Sequence, residues 1–251
     1  MTVLDVRGLA KAFGGVLAVD DVSFAVAAGE KLAMIGPNGA GKSTCFNMLN
    51  GQLPADAGTV TLGGRSILGL KPRQIWRLGV GRTFQITATF VSMTVRENVQ
   101  MALLSHHRRL GAVLARAAAL YTAEADALLD RVAMRDQAER VCGVLAYGDV
   151  KRVELAVALA NDPKVLLMDE PTAGMAPQER AQLMALTGKL ARERGIAVLF
   201  TEHDMDVVFG HADRVIVLDR GRLIAEGTPA EVRADPQVQA VYLGSGSMYG
   251  H

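Results

Sequence analysis

Gly36-Pro37-Asn38-Gly39-Ala40-Gly41-Lys42-Ser43-Thr44 is the stretch whose reading decides the fold. Gly36 to Ser43 fits the spacing G-x-x-x-x-G-K-[ST] of a phosphate-binding loop. That spacing carries weight only between a strand and a helix, and both flanks qualify. Lys31-Leu32-Ala33-Met34-Ile35 reads as a short buried strand, and Cys45 to Asn50 has helical spacing that ends at Gly51. Gly36, Gly39 and Gly41 permit backbone conformations that a Cβ would block, so successive N–H groups turn inward toward an anion. The following helix adds the positive end of its dipole. Lys42 brings a charge for the β- and γ-phosphates, and Ser43 a hydroxyl for Mg²⁺. These residues predict binding of a nucleoside triphosphate.

The surrounding composition narrows what such binding serves. Half of the 251 residues are hydrophobic, enough for a substantial core, and the net charge is +1 with both signs interspersed. No basic cluster marks a nucleic-acid binder. Cys45 and Cys142 lack metal-ligand spacing, which predicts a reduced, cytoplasmic setting. Met1 to Arg7 does not read as a signal peptide, and no apolar run reaches bilayer length, since Ala112–Leu120 is broken by Arg116. Any membrane is expected to be met through a partner.

In chain order, Val3, Leu4 and Val6 lead into a turn at Gly8, and Val16–Val19 and Val22–Val26 read as short strands divided by Asp20-Asp21. Thr59–Leu62 reads as a further strand and Pro72–Leu78 as a short helix. From about 94 to 160 the apolar residues take i, i+3, i+4 spacing (Leu128, Leu129, Val132), with Thr94 and Glu97 as a capping box at the start. This predicts a helical insertion, with Arg108-Arg109, Arg116 and His106-His107 on its solvated face. After Asp162-Pro163 the alternation of strand and helix resumes. Strands are expected at 165–168, 196–200 and 215–218, helices at 177–192 and 204–210, and a hairpin partner at 222–226. Thr228 caps a last short helix, and Gly244-Ser245-Gly246-Ser247 reads as a mobile tail.

Two further stations carry chemistry. Val165 to Met168 ends in Asp169-Glu170, a hydrophobic strand delivering an acid that helps hold Mg²⁺. Glu170, next along, is placed to orient and polarise an attacking water. The second station is Leu145-Ala146-Tyr147-Gly148-Asp149-Val150-Lys151-Arg152-Val153-Glu154-Leu155-Ala156. It resembles the signature motif of ATP-binding-cassette ATPases, in the form carried by ATPase subunits of importers for branched-chain and other hydrophobic amino acids.

The resemblance covers nearly the whole chain and implies a fold: an α/β P-loop NTPase core of the RecA type, with an antiparallel β subdomain and an inserted helical subdomain. One domain spans 1–251, with the β subdomain and P-loop core at 1–92, the helical part at 93–160, the rest of the core at 161–243 and a tail at 244–251. It implies that Phe13, with Val16, lies on adenine, and that Gln85, in Arg82-Thr83-Phe84-Gln85, reaches Mg²⁺ and the attacking water. His203, in Thr201-Glu202-His203, becomes the switch histidine at the γ-phosphate. Catalysis then falls to Glu170, His203, Lys42 and Gln85, and metal binding to Ser43, Gln85 and Asp169. ATP is held by Gly36 to Thr44 of one subunit and by Ala146, Tyr147 and Gly148 of a second, paired head to tail in a homo- or heterodimer.

The resemblance further implies transmembrane permease subunits docked near Gln85 and residues 86–98, an external solute-binding protein acting indirectly, and a place on the cytoplasmic face of the membrane. Three positions depart from the family pattern: Ala146 where Ser is common, Asp149 where Glu or Gln is, and Ala176 where Asp or Asn is. The tail from Gly227 to Gly244 fits the amino-acid importers and also resembles the lipopolysaccharide-export ATPase, so an exporter is the alternative. A soluble cassette on nucleic acid or the ribosome would bring a second cassette or a long coiled-coil insertion, and a small-molecule kinase would leave 145–159 unexplained.

Overall fold

The β structure expected at the start of the chain forms as two long strands, because the expected breaks are bulges. In a computed structural model describing residues 1–83, 89–107 and 120–243, β1 (Thr2–Phe13) pairs antiparallel with β2 (Val16–Ala27). Leu4, Val6 and Leu9 are buried along β1, and the extra residue between Val6 and Leu9 is absorbed at Gly8, whose φ is +59°. On β2, Val19 and Val22 are likewise three apart, with Asp21 at φ +53° taking up the slack. Bulges keep each apolar set on one face while the strand continues. Gly8 is therefore not a turn, and Asp20-Asp21 does not divide two strands.

β1 also pairs with β4 (Ala57–Leu62), which carries the short β5 (Arg65–Ser66), giving the antiparallel sheet β2-β1-β4-β5. The other sheet begins with β3 (Lys31–Ile35), buried at every position as a central parallel strand requires. The phosphate loop follows it and leads into α1 (Lys42–Leu49). After α2 (Pro72–Arg77) comes β6 (Val80–Thr83). Then α3 (Val95–His106), α4 (Thr122–Arg131) and α5 (Tyr147–Leu159) precede β7 (Val165–Asp169). The capping box at α3 forms: Thr94 Oγ1 accepts from the Glu97 N–H at 3.2 Å and Glu97 Oε2 from the Thr94 N–H at 2.7 Å. His106 departs from the expected solvated face. Its ring is half-buried and meets Trp76 edge to face at 5.6 Å, whereas His107 is exposed.

The chain continues through α6 (Pro177–Arg194), β8 (Ala197–Thr201), α7 (Met205–His211), β9 (Arg214–Asp219) and β10 (Arg222–Gly227), ending in α8 (Pro229–Ala234) and α9 (Pro236–Leu243). The strand order is β10-β9-β3-β8-β7-β6, with only β10 antiparallel to its neighbour. Alternate residues separate its two faces. Ile35, Met168, Phe200 and Val217 pack among the helices α3 to α8, while Met34, Leu167, Leu199 and Ile216 pack with α1 and the antiparallel sheet. Truncating Phe200, which has no exposed surface, to Ala would cost about 3–5 kcal/mol. Because β3, β7 and β8 are parallel and adjacent, the residues following each emerge at one edge. Among the described residues no helix is long and apolar enough to cross a membrane. Gln85, Arg108, Arg109, Arg116 and Gly244–Ser247 lie outside the described residues.

Candidate active site

At that edge a cleft of about 180 Å³ is lined by Asn38 to Thr44 together with Ala18, Glu170 and His203. The glycines shape it by close approach. A Cβ on Gly36, at φ +149°, would fall 2.1 Å from the Leu218 carbonyl oxygen, and one on Gly41, at φ +103°, 2.3 Å from that of Ala18. Gly39, at φ +81°, has open space instead, so its backbone faces the cleft bare. Gly41 is the N-cap of α1 and offers no side chain to the first turn, which leaves those N–H groups for an anion.

Lys42 is 8% exposed and donates to the Gly36 and Pro37 carbonyls, the latter at 3.0 Å. Burial pushes its pKa down, opposed by the negative charges of Glu170 and Asp169. A buried cation held by carbonyls beside bare N–H groups is a site built for a polyanion.

Glu170 follows β7 with φ +47°, a left-handed conformation uncommon for a residue with a Cβ. Its N–H donates to the Thr201 carbonyl and hydroxyl, both at 3.1 Å, and its Oε1 stands 2.8 Å from His203 Nε2. Asp169 sits beside the cleft: its Oδ1 accepts from Thr201 Oγ1 at 2.7 Å, and Arg82 lies 3.8 Å from its Oδ2. Among the described residues no group of His, Cys, Asp and Glu is arranged to hold a metal alone. Mg²⁺ characteristically takes one or two protein ligands plus phosphate oxygens and water. The exposed Ser43 and the part-buried Asp169 fit an ion that arrives with its nucleotide.

Of the other expected residues, Phe13 and Val16 end β1 and begin β2, 49% and 70% exposed and outside the cleft lining. Ala146, Tyr147 and Gly148 also stand outside the lining, at the start of α5. Ala146 is its N-cap and supplies no side-chain acceptor. Gly148 lies so near Glu179 that a Cβ would come within 2.9 Å of its Oε1.

Several residues take roles in the structure that the sequence does not assign them. Thr201 ties Asp169 to Glu170, Arg82 bonds Gln52 at 2.9 Å while facing Asp169, and Glu202 is a buried carboxylate bonded to Thr172. The available signal was the polar pair Thr201-Glu202 closing an otherwise apolar strand.

Sheet order, loop and cleft together define a P-loop nucleotide-binding cassette. Residues 19–173 match the family model described as ABC transporter, and residues 222–247 that described as branched-chain amino acid ATP-binding cassette transporter. The chain belongs to the ABC transporter family, as an ATP-binding subunit with ATPase activity. The high-affinity branched-chain amino acid transport ATP-binding protein LivG of Salmonella typhimurium is 40% identical over 96% of this chain and 98% of its own length. BraF of Pseudomonas aeruginosa, with the same description, is also 40% identical over the same shares. An ATP-binding cassette of an ABC transporter, solved in its ADP conformation, shares the fold with a TM-score of 0.87 at 32% identity, over 97% of this chain and 99% of that one.

Proposed function

We propose that this chain powers the import of branched-chain amino acids, hydrolysing ATP on the inner face of the membrane in a dimer of cassettes docked on permease subunits. The observation that carries the transport reading is the C-terminal match at 222–247, beyond the nucleotide core, to the branched-chain amino-acid transporter model. It favours the importer over the exporter alternative, and the relatives named for branched-chain amino acids agree with it over nearly their whole length.

In this reading the N–H groups of residues 38–44 and the Lys42 ammonium hold the β- and γ-phosphates in place. Glu170 Oε1 accepts a proton from the water aimed at the γ-phosphorus, and His203 swings from Glu170 to the γ-phosphate oxygens. Ser43, Asp169 and Gln85 would hold Mg²⁺, which would neutralise charge developing on the phosphates. Phe13 and Val16, exposed where β1 ends and β2 begins, offer the adenine a surface. The first turn of α5, exposed at Ala146 and Tyr147, faces the γ-phosphate held by a partner cassette, so hydrolysis depends on pairing. A solute-binding protein hands cargo to the permease, and no nucleic acid takes part.

The test is complementation of a strain lacking its branched-chain uptake ATPases, with the cognate permease genes supplied. Restored uptake of labelled leucine, isoleucine and valine is expected. Failure of uptake, with the chain recovered on ribosomes or nucleic acid rather than membranes, would overturn the reading.

A further inference from the structure

Glu202 has no part in the chemistry described above, yet it is one of the most buried carboxylates near the cleft, at 4% exposure. Its Oε1 accepts from the Thr172 N–H at 2.8 Å and from the Thr172 hydroxyl at 2.6 Å. Its Oε2 takes the N–H of His203 at 3.3 Å. Three donors and no cation surround it in these contacts, an arrangement that suits an acceptor-only carboxylate. Burial pushes its carboxyl pKa up; the two Thr172 donors and the His203 N–H pull it down, and the nearby Glu170 charge pushes it up again.

The topology gives these bonds their meaning. Thr172 lies two residues after Glu170, and Glu202 lies one residue before His203. Because Glu170 Oε1 and His203 Nε2 are 2.8 Å apart, the four residues close a ring that joins the loop after β7 to the loop after β8. The same two loops are pinned a second time by Arg180, which donates to the Met175 carbonyl at 2.8 Å and pairs with Asp204. Glu170 itself is held with φ +47°, a conformation that persists only when its surroundings enforce it.

We propose that Glu202 is a positioning residue for hydrolysis, a buried carboxylate that fixes Thr172 and His203 at set places on either side of Glu170. It acts through its neighbours and touches no substrate. A shift of an ångström in a base or a phosphate contact is enough to slow chemistry without weakening nucleotide binding, which rests on the P-loop. The inference depends on the roles given to Glu170 and His203 above.

The test compares Glu202→Gln, Thr172→Val and Thr172→Ser in the full chain, by steady-state ATP hydrolysis, equilibrium ATP binding and thermal melting. Glu202→Gln keeps an acceptor for Thr172 but turns a donor toward the His203 N–H. Thr172→Val removes only the hydroxyl donor, and Thr172→Ser retains it. The expected result is a fall in kcat of about tenfold for Glu202→Gln and Thr172→Val, with KM and ATP affinity unchanged and Thr172→Ser close to the parent. Parental kcat in both Glu202→Gln and Thr172→Val would overturn the proposal. So would a parallel fall of kcat, affinity and melting temperature in which Thr172→Ser fares no better than Thr172→Val. Glu170→Gln run alongside separates the two levels: if it turns over ATP normally, the roles of Glu170 and His203 are wrong, whatever Glu202 does.

Discussion

His203 Nε2 lies 2.8 Å from Glu170 Oε1, although the two residues are separated by 33 positions and follow different strands. The parallel pairing of β7 with β8 is what sets them side by side. His203 remains half exposed and faces the cleft, so its ring is free to exchange the carboxylate for a phosphate oxygen. Replacing it by Ala removes one donor to charge that develops in the transition state. A loss of kcat of about 10²-fold is expected, with KM little changed, measured as phosphate release under saturating ATP. Retention of parental kcat would remove His203 from the mechanism.

Lys42 donates to the Gly36 and Pro37 carbonyls at the rim of the cleft. Substitution by Met keeps the aliphatic stem but withdraws a charge-assisted contact of about 1.5–3 kcal/mol, so ATP affinity falls roughly 10- to 100-fold. Fluorescence titration with a nucleotide analogue reads this directly, and circular dichroism should show an intact fold. Unaltered affinity would contradict the phosphate assignment.

Ala176 is the exposed N-cap of α6, and only half of a capping box is present there: Glu179 Oε2 accepts from the Ala176 N–H at 3.2 Å, with no oxygen to return the bond. Ala176→Asp supplies that oxygen. It should stabilise the chain by about 1 kcal/mol and raise the melting temperature by about 2–4 °C. An unchanged or lowered melting temperature would count against the cap geometry.

Cys45 sits on α1 directly behind the P-loop with no exposed surface, and burial pushes its thiol up to about 12. Below that value the thiol stays protonated, so the nucleophilic thiolate is scarce at pH 8 and its fraction grows only as pH rises toward 12. Iodoacetamide should leave Cys45 unmodified in the native chain at pH 8 and label it in guanidinium. Rapid native labelling would contradict the packing of α1.

The P-loop was legible because its function is a backbone shape, and a backbone shape demands glycines at fixed intervals. The position of Glu170 was legible for a related reason, since a polar residue after an apolar strand stands at the edge of a parallel sheet, whereas His203 was singled out through the family resemblance. The bulges at Gly8 and Asp21 were not, because an apolar spacing of three within a strand reads locally as a break. The contact of Thr172 with Glu202 spans 30 positions and exists only through the pairing of β7 with β8. Arg82 was hidden in the same way, its partners Asn47, Gln52 and Asp169 being gathered only by the fold.

The central claim is that Glu170 activates water against ATP sandwiched between this cassette and a second one. Glu170→Gln preserves the shape of the side chain and its reach to His203 while removing its capacity to take a proton. Size-exclusion chromatography of this variant with ATP and Mg²⁺, coupled to an assay of phosphate release, tests the claim most directly. The account predicts a stable ATP-bound dimer with no measurable turnover. Turnover at the parental rate, or a chain that stays monomeric with ATP bound, would contradict it.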